Sequence, residues 1–313
     1  MILAISMLII VYGQHVYDHF VAARFVPTSK IASVHDNLKL TWLGNDLLYA
    51  SNPSVETGQQ FNVHCDTTER TAAILGCYYK RSIYLYDVTN PELAGAEEVT
   101  AAHEMLHAAY ERLQIWEKNH VNSLLEAEYA KIKDQPDIKK LMGYYSTNEP
   151  GEFDNELHSI IGTTVASISP ELAQYYAQYF NDRATIITMN AKYNTLFATV
   201  EAQSTTLAAK IDADGPTLQS DLSVYEAKRT VLTNDIQTFN QRVKGNYYTS
   251  TSVFESAKQA LLARSSALEA GRVSLNDRVD AYNALVKQYN NLSIRVNQLN
   301  SSINGVSAPT PGV

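Results

Sequence analysis

The sequence has few charged residues and no surplus of basic ones, and the second of these shortages argues against one class of partner. Lysine and arginine number 25 against 33 aspartate and glutamate residues, which gives a formal net charge of −8. Proteins that hold the nucleic-acid phosphate backbone need a basic surplus, so nucleic acid is not an expected partner. Charged residues make up 19% of the 313 residues and hydrophobic residues 45%. This balance is typical of a folded chain, and the length predicts about two domains.

Cysteine is almost absent, since Cys65 and Cys77 are the only two. Their spacing excludes a CxxC metal site. If the chain faces an oxidising compartment, the pair predicts one disulfide that closes a short loop. Two buried thiols are the alternative.

No apolar run in the sequence comfortably reaches the ~20 residues that a membrane-spanning helix needs. Residues 1–12 (MILAISMLIIVY) are nevertheless nearly all apolar, as in a signal-like segment or an anchor. No lysine or arginine precedes this stretch and no small-x-small cleavage site follows closely. Both observations favour an uncleaved membrane anchor, formed by residues 1–24, rather than a signal peptide that is removed. The rest of the chain is then outward-facing, at the cell surface. A buried core helix is the alternative, and His15 and His19 are interpreted as interfacial side chains.

The segments that follow predict a mixture of strands and helices. Alternating residues and central turn residues predict a β-hairpin over 38–50, and residues 82–87 (SIYLYD) predict a strand. An Ala-, Glu- and Leu-rich stretch without glycine or proline predicts one long helix or two in tandem over 97–130. A further helix is predicted over 152–161, before a glycine.

Beyond Pro170 the apolar residues follow the heptad spacing of a coiled coil. Glycine and proline at 215–216 and the stretch 244–250 (KGNYYTS) predict turns, so the region is expected to form three helices in antiparallel coiled-coil hairpins. The first seam runs through Leu218, Leu222, Tyr225, Arg229, Leu232, Ile236, Phe239 and Val243. Residues 307–313 are a proline-rich tail.

Residues 103–107 (HEMLH) form an HExxH motif inside a predicted helix. The four-residue spacing puts the imidazoles of His103 and His107 on one helix face, where both can bind a single Zn²⁺. Glu104 lies beside them, where a carboxylate can act as a general base on water. Two surface histidines on an amphipathic helix are the alternative.

A catalytic zinc site needs three protein ligands and an open position, so a third ligand must come from elsewhere in the chain. The metzincin extension is excluded because Tyr110 and Leu113 stand where that family has glycine and histidine. The segment 152–159 is dense with candidates. Glu152 and Glu156 lie one helical turn apart on the same face, so either can be the ligand, and Glu152 can instead orient Glu156.

Residues 155–159 (NELHS) resemble the NExxSD element of the thermolysin-like gluzincins, whose glutamate is the third zinc ligand. The resemblance implies that His103, His107 and Glu156 bind Zn²⁺ and that Glu104 is the general base. It also implies a zincin-like catalytic domain that hydrolyses peptide bonds with metal-activated water. The patterns AHEMLHAAYERL and ELHSIIGT further resemble a group of uncharacterised membrane-attached proteins of small-genome bacteria.

The resemblance leaves two roles in the site unassigned. The family's aspartate that orients a ligand histidine is replaced by Ile160, so another group must do this. The oxyanion of such a reaction also needs a nearby donor, for which His158, Tyr144 and Tyr145 are the candidates. On a helix, His158 points about 200° away from Glu156, which makes it a weaker candidate for the oxyanion donor.

The fold class predicted is α+β, with a zincin-like metallopeptidase domain over 25–168 and an all-α antiparallel coiled-coil domain over 169–306. The predicted function is a cell-surface zinc peptidase that acts on a peptide or protein substrate, with the coiled coil as spacer, gate or partner-binding arm. Hydrolysis of cell-wall peptides is an alternative within the enzyme class. The other alternative is a non-catalytic surface adhesin or scaffold with a relic or structural zinc site. Retention of Glu104, which binds no metal, favours the enzyme.

Overall fold

The computed structural model describes residues 13–65, 75–148 and 151–303, and these are mostly helical with one small sheet. The chain divides into two compact units, the first formed by residues 1–197 with 297–313 and the second by residues 198–296. This composition agrees with the coarse prediction of an α+β chain that ends in long helices. Of the predicted anchor segment 1–24, residues 1–12 lie outside the described residues, as does the tail 307–313.

The sheet lies in the first unit and has three short strands. They are β1 (Ser54–Glu56), β2 (Gly76–Tyr79) and β3 (Ser82–Tyr86). Strand β3 is central, parallel to β1 and antiparallel to β2. The strand predicted from residues 82–87 is therefore confirmed.

Helices surround this sheet and supply most of the first unit. They are α1 (residues 13–22), α2 (Ser29–Leu38), α3 (Trp42–Ala50), α4 (Gly58–His64), α5 (Ala96–Arg112), α6 (Ile115–Ile132), α7 (Pro136–Asn148), α8 (Phe153–Thr164) and α9 (Pro170–Tyr176). Helices α5 and α6 confirm the tandem alternative for the stretch 97–130.

The hairpin predicted over 38–50 is wrong, because these residues end one helix and form another. Lys39 adopts a left-handed conformation (φ 52°) that ends α2, and the Thr41 hydroxyl accepts a hydrogen bond from the Gly44 amide at the start of α3. Capping by a threonine side chain satisfies an amide that a helix leaves unpaired. Short alternating runs fit either type of element, and here the caps favour the helix.

Helix α5 is the centre of the first unit and packs against α8, α2, α3 and the sheet. Gly162 allows the close approach of α8, since a Cβ there would lie 2.4 Å from the Leu106 side chain and 2.8 Å from Tyr176. This tight packing also explains why α8 continues past Ile161, its predicted end, to Thr164. The metal-motif helix is thus fixed on several sides by buried contacts.

The two cysteines form a disulfide between the end of α4 and strand β2, which confirms that prediction. Cys77 lies in β2 opposite Tyr84 of β3, so the bond ties α4 to the sheet. Cys65 is itself buried.

Replacing both Cys65 and Cys77 with serine is expected to lower the free energy of unfolding by about 3 kcal/mol, because the short cross-linked loop restricts the unfolded chain. Denaturant unfolding of the full chain with and without thiol reductant measures the effect. The double variant should not respond to reductant. A wild-type midpoint that reductant leaves unchanged would contradict the expectation.

The second unit is built from two long helices, α10 (Arg183–Lys244) and α11 (Thr251–Ile303), and α10 begins within the first unit. Asp221 pairs with Arg278 and Asp235 with Arg264. Later residues of α10 therefore face earlier residues of α11, and the pair is antiparallel. The turn predicted over 244–250 is confirmed.

The turn predicted at Gly215 and Pro216 is wrong, because α10 continues through both residues. An internal proline removes one backbone hydrogen bond and strains a helix by about 3 kcal/mol. Gly215 lies close to Tyr282 of α11, since a Cβ at this glycine would lie 3.2 Å from the tyrosine hydroxyl. The contacts with α11, from Gly215 beside Tyr282 to the pair of Asp235 with Arg264, offset this local cost, so one helix, α10, forms where two were predicted.

Candidate metal centre

Helix α5 presents the two histidines of the HExxH motif side by side. His103 and His107 are one turn apart, and their ring centroids are separated by 4.7 Å. His107 is buried, while His103 is partly exposed. One ring of the pair is therefore enclosed by the protein, and solvent can reach the other.

Helix α8 brings Glu156 to these two rings. Its carboxylate oxygens lie 3.6 Å from His103 Nε2 and 3.5 Å from His107 Nε2. One ligand atom from each of the three residues lies within 4.8 Å of the others. The three side chains predicted as metal ligands are thus brought together, although 49 positions of sequence separate His107 from Glu156.

The three residues suit a metal ion because of the spacing of their ligand atoms and because one buried carboxylate oxygen has no hydrogen-bond partner. A tetrahedral site with bonds of about 2.1 Å places its ligand atoms about 3.4 Å apart, close to the two separations above. Glu156 Oε2 is buried and has no hydrogen-bond partner, which is costly unless a cation satisfies it. Burial raises the pKa of Glu156, but His107, His103 and the Tyr145 hydroxyl outweigh it and hold the pKa below its usual value.

Asn155 orients the ring of His107. The His107 Nδ1–H donates to Asn155 Oδ1 at 3.0 Å, which leaves Nε2 free for a metal. Asn155 in turn donates its amide to Glu152 Oε2 at 3.0 Å. Glu152 therefore supports the site through Asn155. Asn155 is the group that orients a ligand histidine, a role that Ile160 cannot fill.

Replacing Asn155 with alanine is expected to weaken metal binding by about 10- to 100-fold, because the His107 ring loses the partner that fixes it. Zinc titration of the metal-free chain measures the change. Asn122→Ala is the matched control, since Asn122 also contacts α8, through Asp154 at 2.7 Å, but touches no histidine of the triad. Equal affinities of the Asn155 variant and the wild type would contradict this role.

Glu104 lies buried between α5 and strand β2. Its carboxylate accepts a hydrogen bond from the backbone amide of Tyr78. Gly76 permits this approach, since a Cβ there would lie 3.1 Å from Glu104 Cγ and 2.4 Å from Thr100 Cγ2. Burial raises the pKa of Glu104 to about 7, with His107 opposing and Glu156 adding to the rise. A carboxyl group with this pKa can accept and release a proton at neutral pH.

The candidate oxyanion donors lie in different surroundings. Tyr145, on α7, hydrogen-bonds to Glu156 and therefore reaches the site. The side chain of Tyr144 lies outside the described residues. His158 is fully buried, its Nε2 pairs with the Tyr175 hydroxyl at 2.9 Å, and the ring packs against Tyr176.

His158 is held neutral in this aromatic cluster. Burial, with a smaller contribution from the nearby rings of His107 and His103, lowers the pKa of His158 to about 3. The structure thus places His158 in the core beside the triad, with its hydrogen bond directed to Tyr175. A catalytic role for His158 or Tyr145 stays a prediction.

The chain matches no protein-family model, no curated protein and no solved structure.

Proposed function

We propose that the first unit is a zinc-dependent peptidase of the gluzincin type. The observation that carries the proposal is the convergence of His103, His107 and Glu156 at tetrahedral spacing, with the buried carboxyl of Glu104 beside them. Two histidines and a glutamate form a ligand set of catalytic zinc sites, which keep a fourth position open. A purely structural zinc site has no need of Glu104.

Each residue of the site has a separate task in hydrolysis. His103, His107 and Glu156 hold the ion, and Asn155 keeps the His107 ring in place. A zinc ion so held supplies Lewis acidity toward water and the scissile carbonyl. The Glu104 carboxylate takes a proton from the attacking water and passes it to the leaving amine.

The substrate class proposed is a peptide or protein outside the cytoplasm. The Cys65–Cys77 disulfide supports this location, because disulfides persist in oxidising compartments. The apolar sequence of residues 1–12 supports attachment to a membrane. Among the described residues, no helix has the length and apolar character needed to cross a bilayer.

Hydrolysis assays on the zinc-loaded full chain test this function. Incubation with a peptide library and with purified sacculi should release cleaved peptides from one of the two, and a chelator should stop the release. The two arms separate protein cleavage from cell-wall peptide cleavage. Absence of cleavage in both would leave a non-catalytic surface protein as the better account.

A further inference from the structure

Helix α1 buries the acidic side chain of Asp18 against the protein and exposes three large apolar side chains to solvent. Asp18 is buried and accepts a hydrogen bond from Arg112 of α5 at 2.7 Å. On the opposite side, Val16, Tyr17 and Phe20 are 53%, 62% and 56% exposed. These three residues are the outer face of α1. A surface helix normally has the reverse arrangement, so this face is suited to an apolar partner.

A tryptophan of α3 extends this apolar surface. His19 of α1 contacts Asp46 of α3 at 2.9 Å, and Phe25, just beyond α1, stacks on Tyr49. Both contacts tie α3 to the segment that contains α1. Trp42 lies one turn before Asp46 on α3 and is 71% exposed.

We infer that the outer face of α1, together with Trp42, rests in the interfacial region of a lipid bilayer. The chain that precedes α1 is the apolar sequence of residues 1–12, so the same partner that receives this segment lies next to the outer face. Tryptophan and tyrosine prefer the boundary between headgroups and acyl chains. Arg24 lies over the Phe20 ring at 5.9 Å, where its guanidinium can pair with lipid phosphate.

This contact would fix the metal centre relative to the membrane. The Asp18–Arg112 pair is buried on both sides and joins α1 to the end of α5, the helix that carries His103 and His107. Arg112 also donates to the Tyr78 hydroxyl at 3.1 Å, which ties the same end to β2. The inference rests on the proposed membrane attachment and adds that α1 is a rigid support rather than a flexible tether.

Tryptophan fluorescence on lipid vesicles tests this inference. In a full chain whose two tryptophans are replaced (Trp42→Phe, Trp116→Phe), Phe20→Trp introduces one indole on the outer face. Vesicles of phosphatidylcholine and phosphatidylglycerol should shift its emission to shorter wavelength. Brominated phosphatidylcholine should quench it, and more strongly with bromine near the headgroups than at the chain ends, since interfacial helices insert about 5–10 Å.

Val63→Trp in the same background is the matched control, because Val63 is 78% exposed on α4, which packs on β1 and β3. Its emission should not respond to vesicles. An unchanged spectrum of Phe20→Trp overturns the inference, as does equal quenching at both positions. A shift without lipid that grows with protein concentration would assign the face to a second copy and overturn it too. Hydrolysis is not measured, so failure here leaves the peptidase proposal standing.

Discussion

Glu104→Gln is expected to lower the rate of peptide hydrolysis by about 100- to 10,000-fold while zinc stays bound. The amide has nearly the shape of the carboxyl group and can still accept the hydrogen bond from the Tyr78 amide. It cannot take a proton from water, however, so the chemical step is lost. Rates on a cleaved peptide, measured together with zinc content, check both parts of the expectation.

Glu98→Gln is the matched control for this variant. Glu98 lies on the same helix and accepts a hydrogen bond from Asn37 at 2.9 Å, outside the site. Its replacement should leave the rate unchanged. Turnover by the Glu104 variant at the wild-type rate would reject Glu104 as the base.

Removal of zinc is expected to lower the free energy of unfolding by about 4 kcal/mol when free zinc is a thousand times its dissociation constant. The reason is that the ion binds the folded chain, in which Glu156 of α8 meets the histidines of α5, and those ligands separate on unfolding. Thermal melts of the full chain with zinc and with a chelator measure the difference.

His107→Ala provides the comparison for the melts, since it removes one ligand. Its melting temperature should be the same with zinc and with chelator. A wild-type chain that melts at one temperature in both conditions would show that no ion bridges α5 and α8.

The three side chains of the candidate metal centre could be predicted from short sequence motifs. The spacing within HExxH places two histidines on one face of any helix, and NELHS supplied Glu156 by resemblance. The role of Asn155 could not be assigned in the same way, because its contact with His107 depends on how α8 packs against α5. The only indication of this role in the sequence is that Asn155 is the first residue of NELHS.

Elsewhere the structure depends on packing that local patterns do not encode. The alternation over 38–50 predicts strands, yet the cap at Thr41 and the contacts of α3 with α5 favour a helix. Pro216 predicts a turn, yet a long antiparallel partner keeps α10 continuous. The sequence alone also does not predict that α1 exposes its apolar face, because the orientation of α1 depends on the contact between Asp18 and Arg112.

The zinc content of the purified full chain tests the central claim most directly. We expect about one zinc per chain in the wild type, and its loss in His103→Ala and in Glu156→Ala. Glu152→Gln should retain the ion, because Glu152 contacts Asn155 rather than the triad. A wild-type chain without zinc, or a Glu156→Ala variant that keeps it, would contradict the account.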